Sequence, residues 1–144
     1  MICLHSPSQG RCWGGGVTYN IKCERSPCCE DQTPTPTYVG ESSRSAYRRG
    51  SEHLASYKSK GKSSFMWKHC VATHGGVFGE DGGKKDYRMT RIATYEKALT
   101  RILEEAVLIQ KADGDEKVEC LNTKEEYYGA EFIRPCFPKG PAPI

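Results

Sequence analysis

Thr37-Tyr38-Val39-Gly40-Glu41-Ser42-Ser43-Arg44-Ser45-Ala46-Tyr47-Arg48-Arg49-Gly50-Ser51-Glu52-His53 is the stretch on which the architecture turns. Residues 37–41 read as a short strand, and Ser42 or Ser43 behind them caps a helix running to about Lys58. On the helical wheel Tyr47, Gly50, Leu54 and Tyr57 share the core face. Arg48 and Glu52 stand an i,i+4 step apart on the outer side, as a surface pair does. Arg49 and His53 make a second such step on the flank between core and solvent, where a cleft residue belongs.

Upstream, Val17 to Cys23 alternates apolar and polar residues with the period of a strand. Residues 24–36, with Ser-Pro and Thr-Pro-Thr-Pro, read as a loop that proline keeps out of regular structure. The two strands can therefore close an antiparallel hairpin with a long connection. Downstream, residues 63–73 read as a second helix, 75–85 as a Gly-rich loop and 86–94 as a third strand. Thr94 then caps a long helix over 95–111, with an apolar stripe of Ala98, Leu99, Ile102, Leu103, Ala106, Val107 and Ile109. The centre of that stripe lies roughly 90° from Glu105 and roughly 170° from Glu104. Glu104 is thus a solvent residue, and Glu105 the carboxylate able to look into a cleft. The expected fold class is α/β, a small three-stranded antiparallel sheet flanked by helices. A Cys-containing extension over 1–16 precedes the main domain over 17–124, and an aromatic, Pro-rich tail over 125–144 follows it.

The chain has 144 residues and a net charge of +3, which suits one domain with a small core. No apolar run reaches the ~20 residues that span a bilayer, and no secretory leader is evident. An intracellular protein without a membrane partner is expected. The charge is unevenly placed: between Arg44 and Lys62 stand six basic residues, Arg44, Arg48, Arg49, Lys58, Lys60 and Lys62, against the single acid Glu52. Such a stripe can neutralise phosphates, although an ordinary solvated helix face has the same look.

Phosphodiester cleavage needs an activated water, charge stabilisation on the phosphoryl oxygens and help for the departing oxygen. Glu105, Arg49, Tyr19, Tyr38 and His53 offer that set, with Asn122 in the late Leu-Asn-Thr-Lys. Singly, each has an ordinary reading: strand tyrosines usually pack, Arg49 suits a surface, and Glu105 could pair with Arg101. Their joint order resembles the GIY-YIG nuclease family over about Val17 to Lys124. Tyr19 matches the first motif, Tyr38 and Gly40 the second, and Arg49 with His53 the helix Arg and its following His. Glu105 matches the metal-binding Glu and Asn122 the late Asn. The Tyr-Val-Gly-Glu-Ser-Ser-Arg-Ser form is similar to nuclease domains of mobile elements, including Penelope-like retroelements. Val-Thr-Tyr departs from Gly-Ile-Tyr, and the spacing from Tyr19 to Tyr38 is longer than usual, so residues 24–36 become an insertion. The resemblance implies a Mg²⁺- or Mn²⁺-dependent DNA endonuclease that nicks its substrate, located in the nucleus if eukaryotic. In it Glu105 holds the Mg²⁺, Arg49 meets the phosphorane, Tyr19 serves the water with His53, and Tyr38 and Asn122 position the site. A catalytically silent, zinc-bearing nucleic-acid-binding module is the rival reading.

Eight cysteines in a chain with no evident export signal point to metal rather than to disulfides. Cys3, Cys12, Cys23 and Cys28 (or Cys29) could form a closed tetrahedral Zn²⁺ site, with His5 as a substitute ligand. Their spacings of nine, eleven and five are not a compact pair of CxxC units, so unliganded thiols remain the alternative. Cys70, Cys120 and Cys136 are isolated and read as packing residues. His69 and His74 are five apart, which does not stack them on a helix, and His74 before Gly75-Gly76 reads as a helix end.

Overall fold

The computed structural model describes residues 16–30 and 34–122, together with the backbone of residues 2–4. The strands are β1 (Ile2–Leu4), β2 (Val17–Cys23), β3 (Thr35–Ser42), β4 (Tyr87–Thr94) and β5 (Val118–Cys120). The helices are α1 (Ala46–Lys58), α2 (Phe65–His74) and α3 (Ala98–Asp113), with a 3₁₀ turn over Glu80–Gly83. The α/β class stands, but the expected three antiparallel strands understate the sheet. Among the described residues β4, β2 and β3 form an antiparallel centre, β5 adds in parallel beside β3, and β1 in parallel beside β4. The extra strands are three residues each, too short for a period of two to declare itself. Part of the 1–16 extension is therefore sheet edge. The tail over 125–144 lies outside the described residues.

β3 starts earlier than the prolines suggested. Pro36 sits within it, opposite Glu119 of the three-residue β5. The β2–β4 ladder shifts register between Thr18 and Tyr19, so that Thr18 faces Ala93 and Tyr19 faces Arg91. Ile92 is the unmatched residue of that bulge.

The helix starts follow side-chain oxygens. α1 is capped by Ser45, whose side chain accepts from the Arg48 amide, and Ser42 instead closes β3 and accepts from the Arg44 amide. Starting there, α1 buries Ala46, Gly50 and Tyr57, while Tyr47 turns outward at 52% exposure. Glu52 pairs with Arg44 at 2.6 Å and Arg49 at 3.7 Å, in place of the expected Arg48. α2 is capped by Ser64 and ends at Gly75 in the left-handed conformation. α3 starts at Ala98, three residues later than expected. The Tyr95 amide is engaged by the Gly16 carbonyl, and the Tyr95 and Glu96 carbonyls accept from Arg101.

The core joins the α1–α2 pair to the sheet: Val17, Tyr19, Ile21, Cys23, Tyr38, Tyr57, Phe65, Met66, Cys70, Tyr87 and Met89 are buried together. Asp86, 3% exposed, accepts from the Tyr57 hydroxyl at 2.6 Å and the Gly79 amide at 3.0 Å. Arg25 lies 3.7 Å from the same carboxylate and donates to the Val77 carbonyl, so the 24–30 loop is tied to the loop after α2.

Candidate active site and metal centre

Tyr19 is the hub of the first constellation. Strand β2 places it under α1, and Arg49 Nε donates to its hydroxyl oxygen at 3.3 Å. His53 Nε2 lies 2.8 Å from the same oxygen. Burial pushes the Tyr19 phenol up to about 12, an effect Arg49 opposes and the charges of Glu105 and Glu41 reinforce. Burial, and then Arg49, pull His53 down to about 3. Near neutral pH both are uncharged, so the phenol accepts from Arg49 and gives its one hydrogen to His53 Nε2, leaving the ring proton of His53 on Nδ1.

Tyr38 stacks on Phe65 with centroids 3.9 Å apart and meets His53 edge-on at 5.6 Å. Phe65 also meets His53 edge-on at 5.3 Å, a contact from α2 that no motif signalled. Gly40 lies opposite Tyr19 in the ladder, and a β-carbon there would collide with the Tyr19 ring. Glycine at that position is therefore a requirement of the tyrosine across from it.

α3 supplies Glu105. Glu104 and Glu105 are both half-buried, so exposure does not separate them. The field of Glu105 at Tyr19 does. Arg101, one turn earlier and 6% exposed, bonds Glu41 at 3.2 Å and the carbonyls of Tyr95 and Glu96. Glu41 is thus a partner of Arg101 that the sequence did not signal. Asn122 uses its amide on backbone: it accepts from the Val39 amide at 2.9 Å and donates to the Val39 carbonyl at 2.8 Å. Asn122 thereby extends β5 along β3. Arg44, Arg48, Lys58, Lys60 and Lys62 are exposed.

A second constellation lies further along β2 and α2. Cys23 closes β2, Cys28 follows in the loop, and His69 and His74 come from α2; the four donor atoms lie within 4.8 Å of one another. Cys28 Sγ is 3.4 Å from His69 Nε2 and 3.6 Å from His74 Nε2, and Cys23 Sγ is 3.4 Å from His74 Nε2. Thr73 Oγ1 stands 3.5 Å from His69 Nδ1 and steadies the ring from behind. Burial pushes Cys23 up to about 12 and raises Cys28, and burial with its cationic neighbours pulls His69 down to about 4 and lowers His74. Two sulfurs and two imidazole nitrogens converging in a buried place form a group that could hold a zinc ion. Half of the expected set, Cys23 and Cys28, is present in it. The histidines read as structural are its other half, a correction with a geometric reason. A metal needs convergent donor atoms rather than stacked rings, and the two rings stand 79° apart with centroids separated by 5.2 Å. The Cys12 and His5 placements and the Cys3 side chain lie outside the described residues, and Cys29 is exposed. No helix among the described residues is long and apolar enough to cross a membrane. No protein-family model, no curated protein and no solved structure matches the chain.

Proposed function

We propose that this chain is a metal-dependent endonuclease that hydrolyses DNA phosphodiester bonds, nicking one strand at a time, and that its fold is buttressed by a structural Zn²⁺. The observation that carries the reading is the hydrogen-bonded series Arg49–Tyr19–His53, built from residues 30 and 34 positions apart in the chain. An arginine that meets solvent, a phenol and a neutral imidazole in one line are the parts needed to hold a phosphate and move a proton.

In this reading Arg49, held through Nε by Tyr19, presents its terminal nitrogens to the scissile phosphate and gives up its long contact with Glu52. The Tyr19 oxygen takes a proton from the attacking water as its own hydrogen passes to His53 Nε2. Glu105, a half-buried carboxylate whose charge reaches Tyr19, fits a hydrated Mg²⁺, which one or two carboxylates suffice to hold. When bound, that ion supplies charge stabilisation on the phosphate and on the leaving oxygen. Tyr38 and Asn122 keep the strand and the aromatic wall in place. The exposed Arg44, Arg48, Lys58 and Lys62 line the path of the DNA backbone.

One observation favours a second reading, a silent zinc-bearing nucleic-acid-binding module: Tyr19 has no exposed surface. Water reaches its oxygen only if substrate binding opens the wall around it. Supercoiled plasmid incubated with wild type and Glu105→Ala, in Mg²⁺, Mn²⁺ or EDTA, separates the two. Nicking that needs metal and is lost in the variant supports the nuclease. DNA binding without nicking by either protein replaces it with the binding module.

A further inference from the structure

The turn between α1 and α2 holds a lysine where the backbone asks for glycine. After α1 the Lys60 amide donates to the Tyr57 carbonyl and the Gly61 amide to the Ser56 carbonyl, the paired bonds of a Schellman turn. That turn needs a left-handed residue, and Lys60 supplies it with φ of 57°. A side chain kept in that region costs about 1 kcal/mol or more relative to glycine. What it gains is placement: the ammonium lies 5.4 Å from the Trp67 ring centre and 5.8 Å from that of Phe78. The two rings, both half-buried, stand 5.6 Å apart and 53° to one another. Lys58, Lys62 and Lys68 are exposed around them.

We infer that Lys60, Trp67 and Phe78 form a docking site for an unpaired stretch of nucleic acid flanking the bond to be cut. The Lys60 ammonium lies over both rings, so a phosphate that draws it aside uncovers a surface on which a base can stack, whereas duplex DNA, with its bases stacked inside, offers only the phosphate. From Arg49 to Lys58, α1 runs nine residues, about 14 Å along its axis, and Lys60 stands in the turn just beyond it. The site rests on the nucleic-acid reading above and adds to it a preference for a single-stranded flank.

The chain has two tryptophans, Trp13 and Trp67, so Trp13→Phe leaves Trp67 as the only reporter. In a Trp13→Phe, Glu105→Ala protein, titration with a twelve-nucleotide oligo(dT) is expected to quench Trp67 fluorescence, whereas a duplex of equal length binds without quenching. Lys60→Gly, which the turn accepts, is expected to weaken oligo(dT) binding about tenfold. It should lower the salt-dependence slope by about 0.7 and leave the Tm within a few degrees. Phe78→Leu is expected to weaken binding in the same direction. Absence of quenching, equal quenching by duplex, or unchanged affinity in Lys60→Gly overturns the site. If plasmid nicking survives such a result, only this inference falls. If nicking and all DNA binding are absent, the nuclease reading falls with it.

Discussion

A histidine held uncharged between an arginine and a buried phenol makes stability depend on pH. His53 titrates near 6.5 in an unfolded chain and near 3 in the fold, because burial and Arg49 both oppose its charge. The unfolded state therefore binds the extra proton first. The contribution of His53 is complete above about 6.5 and is lost as pH falls from there toward 3. His69 and His74 shift in the same direction, so the informative quantity is a difference between proteins. Urea unfolding of His53→Gln is expected to lose less stability than wild type between pH 7.5 and 5, by about 2 kcal/mol. Equal losses would place the sensitivity elsewhere. The helical step from Arg49 to His53 was legible because it is local. Their shared contact with Tyr19 was not, since strand and helix meet only through tertiary packing, and Phe65 carried no motif at all.

Among the elements, α3 shows how far periodicity reaches. Its apolar stripe identified the helix, but Glu104, expected in solvent, is as half-buried as Glu105. The stripe missed the start, because Gly16 and Arg101 fix the backbone of residues 95–96 across distances a wheel does not see. Gly16 sits in the left-handed region, and a β-carbon there would run into the Tyr95 carbonyl. Arg101, in the first turn of α3, binds β3 and the turn before the helix. Arg101→Met leaves Glu41 and two carbonyls without their donor, and chemical denaturation is expected to show a loss of about 3 kcal/mol. Glu41→Ala leaves Arg101 still bonded to the carbonyls and is expected to cost less. If both variants unfold at the wild-type midpoint, Arg101 is not the anchor of α3.

For the whole molecule, the decisive association is between the β2–β3 insertion and α2. The cysteine-rich beginning of the chain was visible from composition, and Cys23 and Cys28 were singled out from it. The two histidines were passed over because a spacing of five looks wrong on a straight helix. α2 ends at Gly75, and both imidazoles reach the thiols from its last turns. Protein purified without chelator is expected to carry about one equivalent of zinc, and His74→Ala under about half. Because the cysteine thiols are protonated at neutral pH, zinc binding must expel protons. Its affinity is therefore expected to fall as pH is lowered, as a competitive chelator titration would measure. A pH-independent affinity would exclude thiolate ligation.

Cys28 and His69 meet across 41 residues of chain, and that segment contains all of β3 and α1. A metal joining them acts on the unfolded chain as a cross-link does. Closing a loop of that size withdraws conformational freedom equivalent to about 4 kcal/mol. The segment so enclosed carries Tyr38, Gly40, Arg49 and His53. Zinc held by Cys23, Cys28, His69 and His74 would then determine how often Arg49, Tyr19 and His53 are brought together at all.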